Sequence, residues 1–278
     1  MKQLFPFVFA FAAATAGAQD VQPIKDAGPY VPSPQSVVSD MLRYADVSAD
    51  DFLIDLGSGD GRIVLTAAKV FGARGFGVEI KDDLVKKSNE AAKNEGLADR
   101  VKFMKQDLFK TDMSQATVIT MYLLPDTVNL LKDKFLSELR PGTRIVSHDY
   151  PLTGWIPEKY VQMDLEDKVQ ISGVTTTLIY LYVVPARVQG KWSAQMPPAL
   201  SRQPATLSLK QQLTRVTGSV RLDGKEFPME DVKLRGDRLT FKLAGRRGEF
   251  SGQVKGKQID GTVDSGGTKS PWSATLGG

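Results

Sequence analysis

Asp51-Phe-Leu-Ile-Asp55-Leu-Gly57-Ser58-Gly59-Asp-Gly61-Arg62 is the stretch on which the fold turns. A short apolar run ends on an acid, three alternating glycines follow, and from Ile63 to Phe71 the apolar residues recur with helical periodicity. The order is strand, tight loop, helix start. Glycine suits such a loop because the chain bends through conformations a side chain forbids and a ligand must approach bare backbone. The N–H groups of the following helix then face that ligand. A dinucleotide fingerprint, G-x-G-x-x-G, would need glycine at position 62, where Arg62 stands, so the loop is a cradle of another kind.

Working outward, Val21 to Pro34 is proline-rich and extended. Ser33 or Ser36 is expected to cap a helix whose stripe is Val37, Val38, Met41, Leu42 and Ala45. Tyr30, just ahead of the ligand loop, is either a packing aromatic or a lid. On the other side, a strand from Gly75 to Ile80 carries Glu79 at its end, where a carboxylate can accept both hydroxyls of a ribose. Asp82 and Asp83 open a helix running to about Glu95. A third strand, Val101 to Lys105, leads to Asp107, which is placed to accept from an adenine amino group. Asp55, Glu79 and Asp107 thus stand at three successive strand ends.

A fourth strand, Ala116 to Tyr122, precedes one helix from Pro125 to Leu139. A fifth, Thr143 to Ser147, is followed by His148-Asp149-Tyr150, and the runs Tyr160–Ser172 and Thr175–Val184 suggest an antiparallel hairpin around Gly173. Alternating strands and helices imply an α/β sheet with helices on both faces. Residues 188–204 are proline-rich and read as a linker. From 205 to 278, short strands between turn residues imply a small antiparallel β meander or barrel with Phe227, Phe241, Phe250 and Trp272 as its core.

Residues 190–278 hold fifteen Lys and Arg against eight Asp and Glu, the rest 21 against 24. The basic residues are scattered, which favours a solvated surface over a nucleic-acid or lipid patch. Cysteine is absent and His148 is the single histidine, which excludes disulfides, thiolate metal sites and Cys nucleophiles and leaves no metal site expected. Met1 to Ala18 has the layout of a signal peptide cut after Ala18, its apolar run being shorter than the roughly 20 residues of a membrane span. The expected division is signal peptide 1–18, α/β domain 19–187, linker 188–204 and accessory β domain 205–278, with a periplasmic location if the segment is processed and a cytoplasmic one if it is not.

The pattern acid-x-Gly-x-Gly-x-Gly resembles motif I of the S-adenosylmethionine-dependent methyltransferases. With it, Pro29-Tyr30-Val31-Pro32-Ser33-Pro34, Tyr122-Leu123-Leu124-Pro125 and Arg144-Ile145-Val146-Ser147-His148-Asp149 resemble the signatures of the small protein-lysine methyltransferases, whose members modify inner-membrane proteins of mitochondria such as the ATP synthase c subunit and the adenine nucleotide translocase. The resemblance covers under half the chain; the N-terminal segment and the β-rich tail depart from it. It implies a Rossmann-like seven-stranded sheet and S-adenosyl-L-methionine as cofactor. Asp55, Gly57, Ser58, Gly59 and Gly61 would hold the methionine end, Glu79 the ribose and Asp107 the adenine. Tyr30, Tyr122, His148 and Trp155 are candidates to line the acceptor channel. The expected partner is a protein with an accessible lysine, and a membrane-protein substrate is compatible with that expectation. The alternatives are a nucleic-acid or small-molecule acceptor, the former opposed by the absence of an Asn-Pro-Pro-Tyr-like run, and an exported binding module without catalysis.

Overall fold

The computed structural model describes residues 28–277; the expected signal segment lies outside the described residues. Five strands alternate with helices: α1 (Gln35–Tyr44), β1 (Phe52–Leu56), α2 (Arg62–Phe71), β2 (Arg74–Glu79), α3 (Asp82–Asn94), β3 (Val101–Lys105), β4 (Val118–Met121), α4 (Pro125–Leu130), α5 (Lys132–Glu138) and β5 (Arg144–His148). After them come β6 (Lys159–Asp164), α6 (Glu166–Ser172) and β7 (Thr176–Val183). The sheet runs β3-β2-β1-β4-β5-β7-β6, with β7 antiparallel to both its neighbours. Strand order reverses at β1, which pairs in parallel with β2 on one side and β4 on the other. A crevice therefore opens beyond the carboxyl ends of β1 and β4.

Local chemistry explains where this sheet departs from the sequence reading. The Pro125 helix is two helices meeting at Leu131, whose ψ of −15° falls short of the helical value of about −42° and opens the turn. The expected hairpin contains a helix, α6, which ends at Gly173 in the left-handed conformation (φ 77°). α1 begins behind Pro34 without a side-chain cap, because Ser33 is engaged elsewhere and Ser36 lies inside the helix. Its stripe of Val37, Val38, Met41 and Leu42 packs into one core with Val64, Ala67 and Leu53.

The remaining eight strands close into an antiparallel barrel: β8 (Gly190–Gln195), β9 (Ala205–Gln212), β10 (Arg215–Leu222), β11 (Lys225–Arg235), β12 (Arg238–Leu243), β13 (Glu249–Lys255), β14 (Gln258–Ser265) and β15 (Thr268–Leu276). The stretch expected as a linker thus supplies the closing strand: β8 pairs with β15 and with β9, and its Trp192 is fully buried. Two prolines after Met196 mislead, because they follow the strand rather than interrupt it. Trp192, Phe241, Phe250 and Trp272 fill the barrel, whereas Phe227 is only partly buried, with the Arg246 guanidinium over its ring at 4.5 Å. The barrel meets the sheet through Ala186, whose N–H donates to the Gly236 carbonyl, and through Gly236, which lies against Gly142 just before β5. That is the amino end of the parallel strands, opposite the crevice.

Candidate active site

The crevice is a cleft lined by residues of six segments: the strap 28–33, the loop after β1, the end of β2, the turn after β3, and the ends of β4 and β5. Its floor is built by the glycine loop. The N–H groups of Gly57 and Ser58 both donate to the Val78 carbonyl at 2.9 Å, which ties the loop to β2. Gly59 (φ 54°) could not carry a Cβ, since that atom would stand 2.3 Å from the Tyr30 ring. Gly61 ends the loop in the left-handed conformation and starts α2; a Cβ there would strike Phe103 and Ser88.

Two acids face this cradle. Asp55 is buried, directly beside Thr120 in the β1–β4 register, and accepts from the Thr120 hydroxyl at 2.7 Å. Burial pushes its carboxyl up to about 7, partly offset by that hydrogen bond and reinforced by the nearby Glu79 charge. Glu79 Oε2 accepts from the Gly59 N–H at 3.0 Å, and Oε1 accepts from the Ile80 and Lys81 N–H groups at 2.8 and 3.0 Å. A carboxylate offers about four acceptor sites, so one remains, on Oε2. Ser58 also lines the cleft, but its Oγ is turned beneath the loop towards Gly77 and is buried without a partner among the described residues. The set offers negative charge, acceptors and bare backbone: it suits a ligand that is cationic at one end and carries hydroxyls further along.

Asp107 is placed differently. Its Oδ1 caps the short turn after β3 by accepting from the Phe109 N–H at 2.8 Å, and its neighbours Gln106 and Leu108 line the cleft in its stead. Gly61 also supports the loop without lining the cleft.

At the other end lie the candidates for the acceptor. Tyr122 and Tyr150 line the cleft with stacked rings, centroids 6.5 Å apart. Burial and the Asp149 carboxylate push the Tyr122 hydroxyl above the usual tyrosine range. His148 is fully buried behind Tyr122, ring to ring at 4.0 Å, with Nδ1 2.8 Å from Ser33 Oγ. Burial pushes it down to about 4, against the pull of Asp149. Tyr30 leans on the glycine loop, with its hydroxyl region beside Asp60 and Arg62, exposed at the mouth. Trp155, expected near the channel, instead sits in the core against Tyr182, because the turn after Leu152 folds it inward.

Four groups do more in the site than their sequence positions suggest. Arg62 holds Asp60 through Nε and Nη2 and donates through Nη1 to the Ser33 carbonyl at 2.8 Å, so the residue that breaks the dinucleotide pattern fastens the strap. Ser33 fastens the same strap to His148. Asp149 is paired with Lys168 from α6, at 2.7 Å. Tyr150 completes the aromatic wall. Only the Asp60-x-Arg62 spacing carried a local signal. Among the described residues no cluster of His, Cys, Asp and Glu could hold a metal ion.

The family profile described as the ANTKMT methyltransferase domain matches residues 55–159, ending before the barrel. A protein-lysine N-methyltransferase of Saccharolobus islandicus is 41% identical over 157 residues, which are 56% of this chain and 93% of that protein. An adenine nucleotide translocase lysine N-methyltransferase of Mus musculus is 36% identical over 105 residues, 38% of this chain and 46% of that protein. Among solved structures, one described as an RNA methyltransferase from Salinibacter ruber in complex with S-adenosyl-L-homocysteine is 46% identical, covers 57% of this chain and 96% of its own, and superposes with a TM-score of 0.51.

Proposed function

The chain belongs to the family of S-adenosylmethionine-dependent methyltransferases that includes the protein-lysine N-methyltransferase of Saccharolobus islandicus, and from that premise we propose that it methylates a lysine amine of a protein. The residues present fit the cofactor: Asp55 offers a carboxyl that a cationic ligand would ionise, and Glu79 keeps an acceptor site on Oε2. Asp55 and the backbone of the loop from Gly57 to Gly61 hold the methionine end. Glu79 would take one ribose hydroxyl on Oε2 rather than two, and the adenine end would lie against Gln106 and Leu108, which line the cleft where Asp107 does not.

Bound in this way, the cofactor would supply an activated methyl group on a positively charged sulfur, to be taken by the lone pair of the acceptor nitrogen. What remains for the protein is positioning and exclusion of water. An ammonium has no lone pair, so the lysine must be neutral at attack. His148, at about 4, is too weak a base by some six units to take a proton from a lysine near 10, and it is sealed from the cleft. The apolar neighbourhood of Leu123 and Leu124 instead favours the neutral amine. His148 is therefore assigned a structural place behind Tyr122, while Tyr122 and Tyr30 touch the ligands.

The observation that carries this reading is the sharing of one cleft by the acid-flanked glycine loop and the Tyr122 end. The test is calorimetric titration with S-adenosylmethionine followed by labelled methyl transfer to a protein extract treated with nuclease. Absence of binding, with Asp55→Ala behaving identically, would sink the cofactor assignment. A second reading, an RNA acceptor, is favoured by the description of the Salinibacter ruber structure; labelling abolished by nuclease would select it. We also propose export through residues 1–18, which N-terminal mass measurement on envelope fractions tests.

A further inference from the structure

The turn His148-Asp149-Tyr150 is strained and held from behind. Asp149 adopts φ 61°, and the Tyr150 N–H donates across it to the His148 carbonyl at 2.8 Å, a three-residue turn of the rare, strained hand. Its carboxylate receives Lys168 Nζ on both oxygens, at 2.8 and 2.7 Å, and the Leu178 N–H at 3.1 Å. Lys168, 2% exposed, also donates to the Thr176 carbonyl. A buried ion pair costs desolvation that its own attraction barely offsets, so it contributes little to stability, and strain of this kind collects at working sites. What the arrangement does achieve is to aim Tyr150 into the cleft beside Tyr122.

We propose that the Tyr122 and Tyr150 rings form the seat of the acceptor's alkylammonium group, and that the Lys168–Asp149 pair is the positioning element that keeps Tyr150 in it. This rests on the lysine reading above. Aromatic faces attract cations, and most strongly those stripped of water, so a methylated lysine, weakly hydrated, sits there better than an uncharged chain of the same length. The seat takes the ammonium on arrival and the methylated product after transfer, while attack proceeds through the neutral amine. The Asp149 carboxylate behind the rings adds negative potential and is fixed there by Lys168 on both oxygens, by the Leu178 N–H and by the Tyr122 hydroxyl, which donates to it.

The test uses the full chain saturated with S-adenosylhomocysteine and titrated by calorimetry or saturation-transfer NMR with free trimethyllysine and with its tert-butyl isostere, in which carbon replaces the charged nitrogen. Trimethyllysine is expected to bind roughly tenfold tighter than the isostere. Tyr150→Phe keeps that ratio, because the ring face remains, and Tyr150→Leu brings it to parity. Lys168→Met lowers the ratio while S-adenosylhomocysteine affinity stays unchanged, and Lys168→Arg restores it; a merely structural pair would lose melting temperature without moving the ratio. Parity in the wild type, or a full ratio in Tyr150→Leu, overturns the proposal alone. Failure of S-adenosylhomocysteine to bind the wild type overturns the cofactor assignment and this proposal with it.

Discussion

Asp55 is the residue in which stability and ligand binding pull apart. Burial first, and the Glu79 charge, raise its carboxyl from 3.8 to about 7. Between those values the folded protein keeps a proton that the unfolded chain has released, so the contribution to stability is complete below about 4 and is lost as pH rises through 7. Over three units the effect is on the order of a few kcal/mol. A cationic cofactor acts oppositely, since it favours the carboxylate. Affinity for S-adenosylmethionine is therefore expected to rise as pH rises through 7, with proton release visible as a dependence of calorimetric heat on the buffer. Asp55→Asn should remove that pH dependence, weaken binding at least tenfold and raise the melting temperature at pH 8 relative to the wild type but not at pH 4. This acid, and Glu79 with it, was legible in the sequence because both are local: each ends a strand beside glycines. Lys168 meeting Asp149, and Ser33 meeting His148 across 115 residues, depend on the fold and left no local trace.

Among elements, the strap 28–34 is the one whose role depends on two small anchors. Ser33 links it to the acceptor end through His148 and to the cofactor end through Arg62, while Tyr30 lies over Gly59. Ser33→Ala would leave the buried Nδ1 of His148 unpaired, with an expected loss of about 1–3 kcal/mol in unfolding free energy. It should also raise KM for S-adenosylmethionine several-fold and speed amide exchange in the strap. Gly59→Ala should do worse: it demands a positive φ from alanine and drives a methyl into the Tyr30 ring, so cofactor binding is expected to vanish by titration although the fold survives by circular dichroism. Strands and glycine turns were readable because period and spacing encode them. α6 was not: seven residues with β-rich neighbours look like strand until Lys168 is seen to be needed beneath Asp149. β8 was hidden by prolines at 197 and 198, which lie just beyond its last residue.

For the molecule as a whole, the question is whether the barrel serves the chemistry. It docks at the amino end of the parallel strands, where Ala186 bonds to Gly236 and Glu158 pairs with Arg235, while the cleft opens at the carboxyl end. Among the described residues, none of the barrel lines that cleft. The Glu158–Arg235 pair is half-exposed, so Arg235→Ala is expected to change stability by under about 1 kcal/mol. The barrel's own integrity rests on its filled interior, in which Trp192 is fully buried and its indole N–H donates to the Val188 carbonyl at 2.8 Å. Trp192→Ala removes that ring and leaves a cavity, at a cost of about 3–5 kcal/mol. Because β8 closes the ring between β15 and β9, the loss falls on the barrel as one cooperative unit. Calorimetric melting of Trp192→Ala should therefore show an early barrel transition, with the second transition and the affinity for S-adenosylmethionine close to the wild type. A single lowered transition accompanied by lost cofactor binding would mean instead that sheet and barrel fold as one body, and that the barrel supports the cleft through the strands it caps.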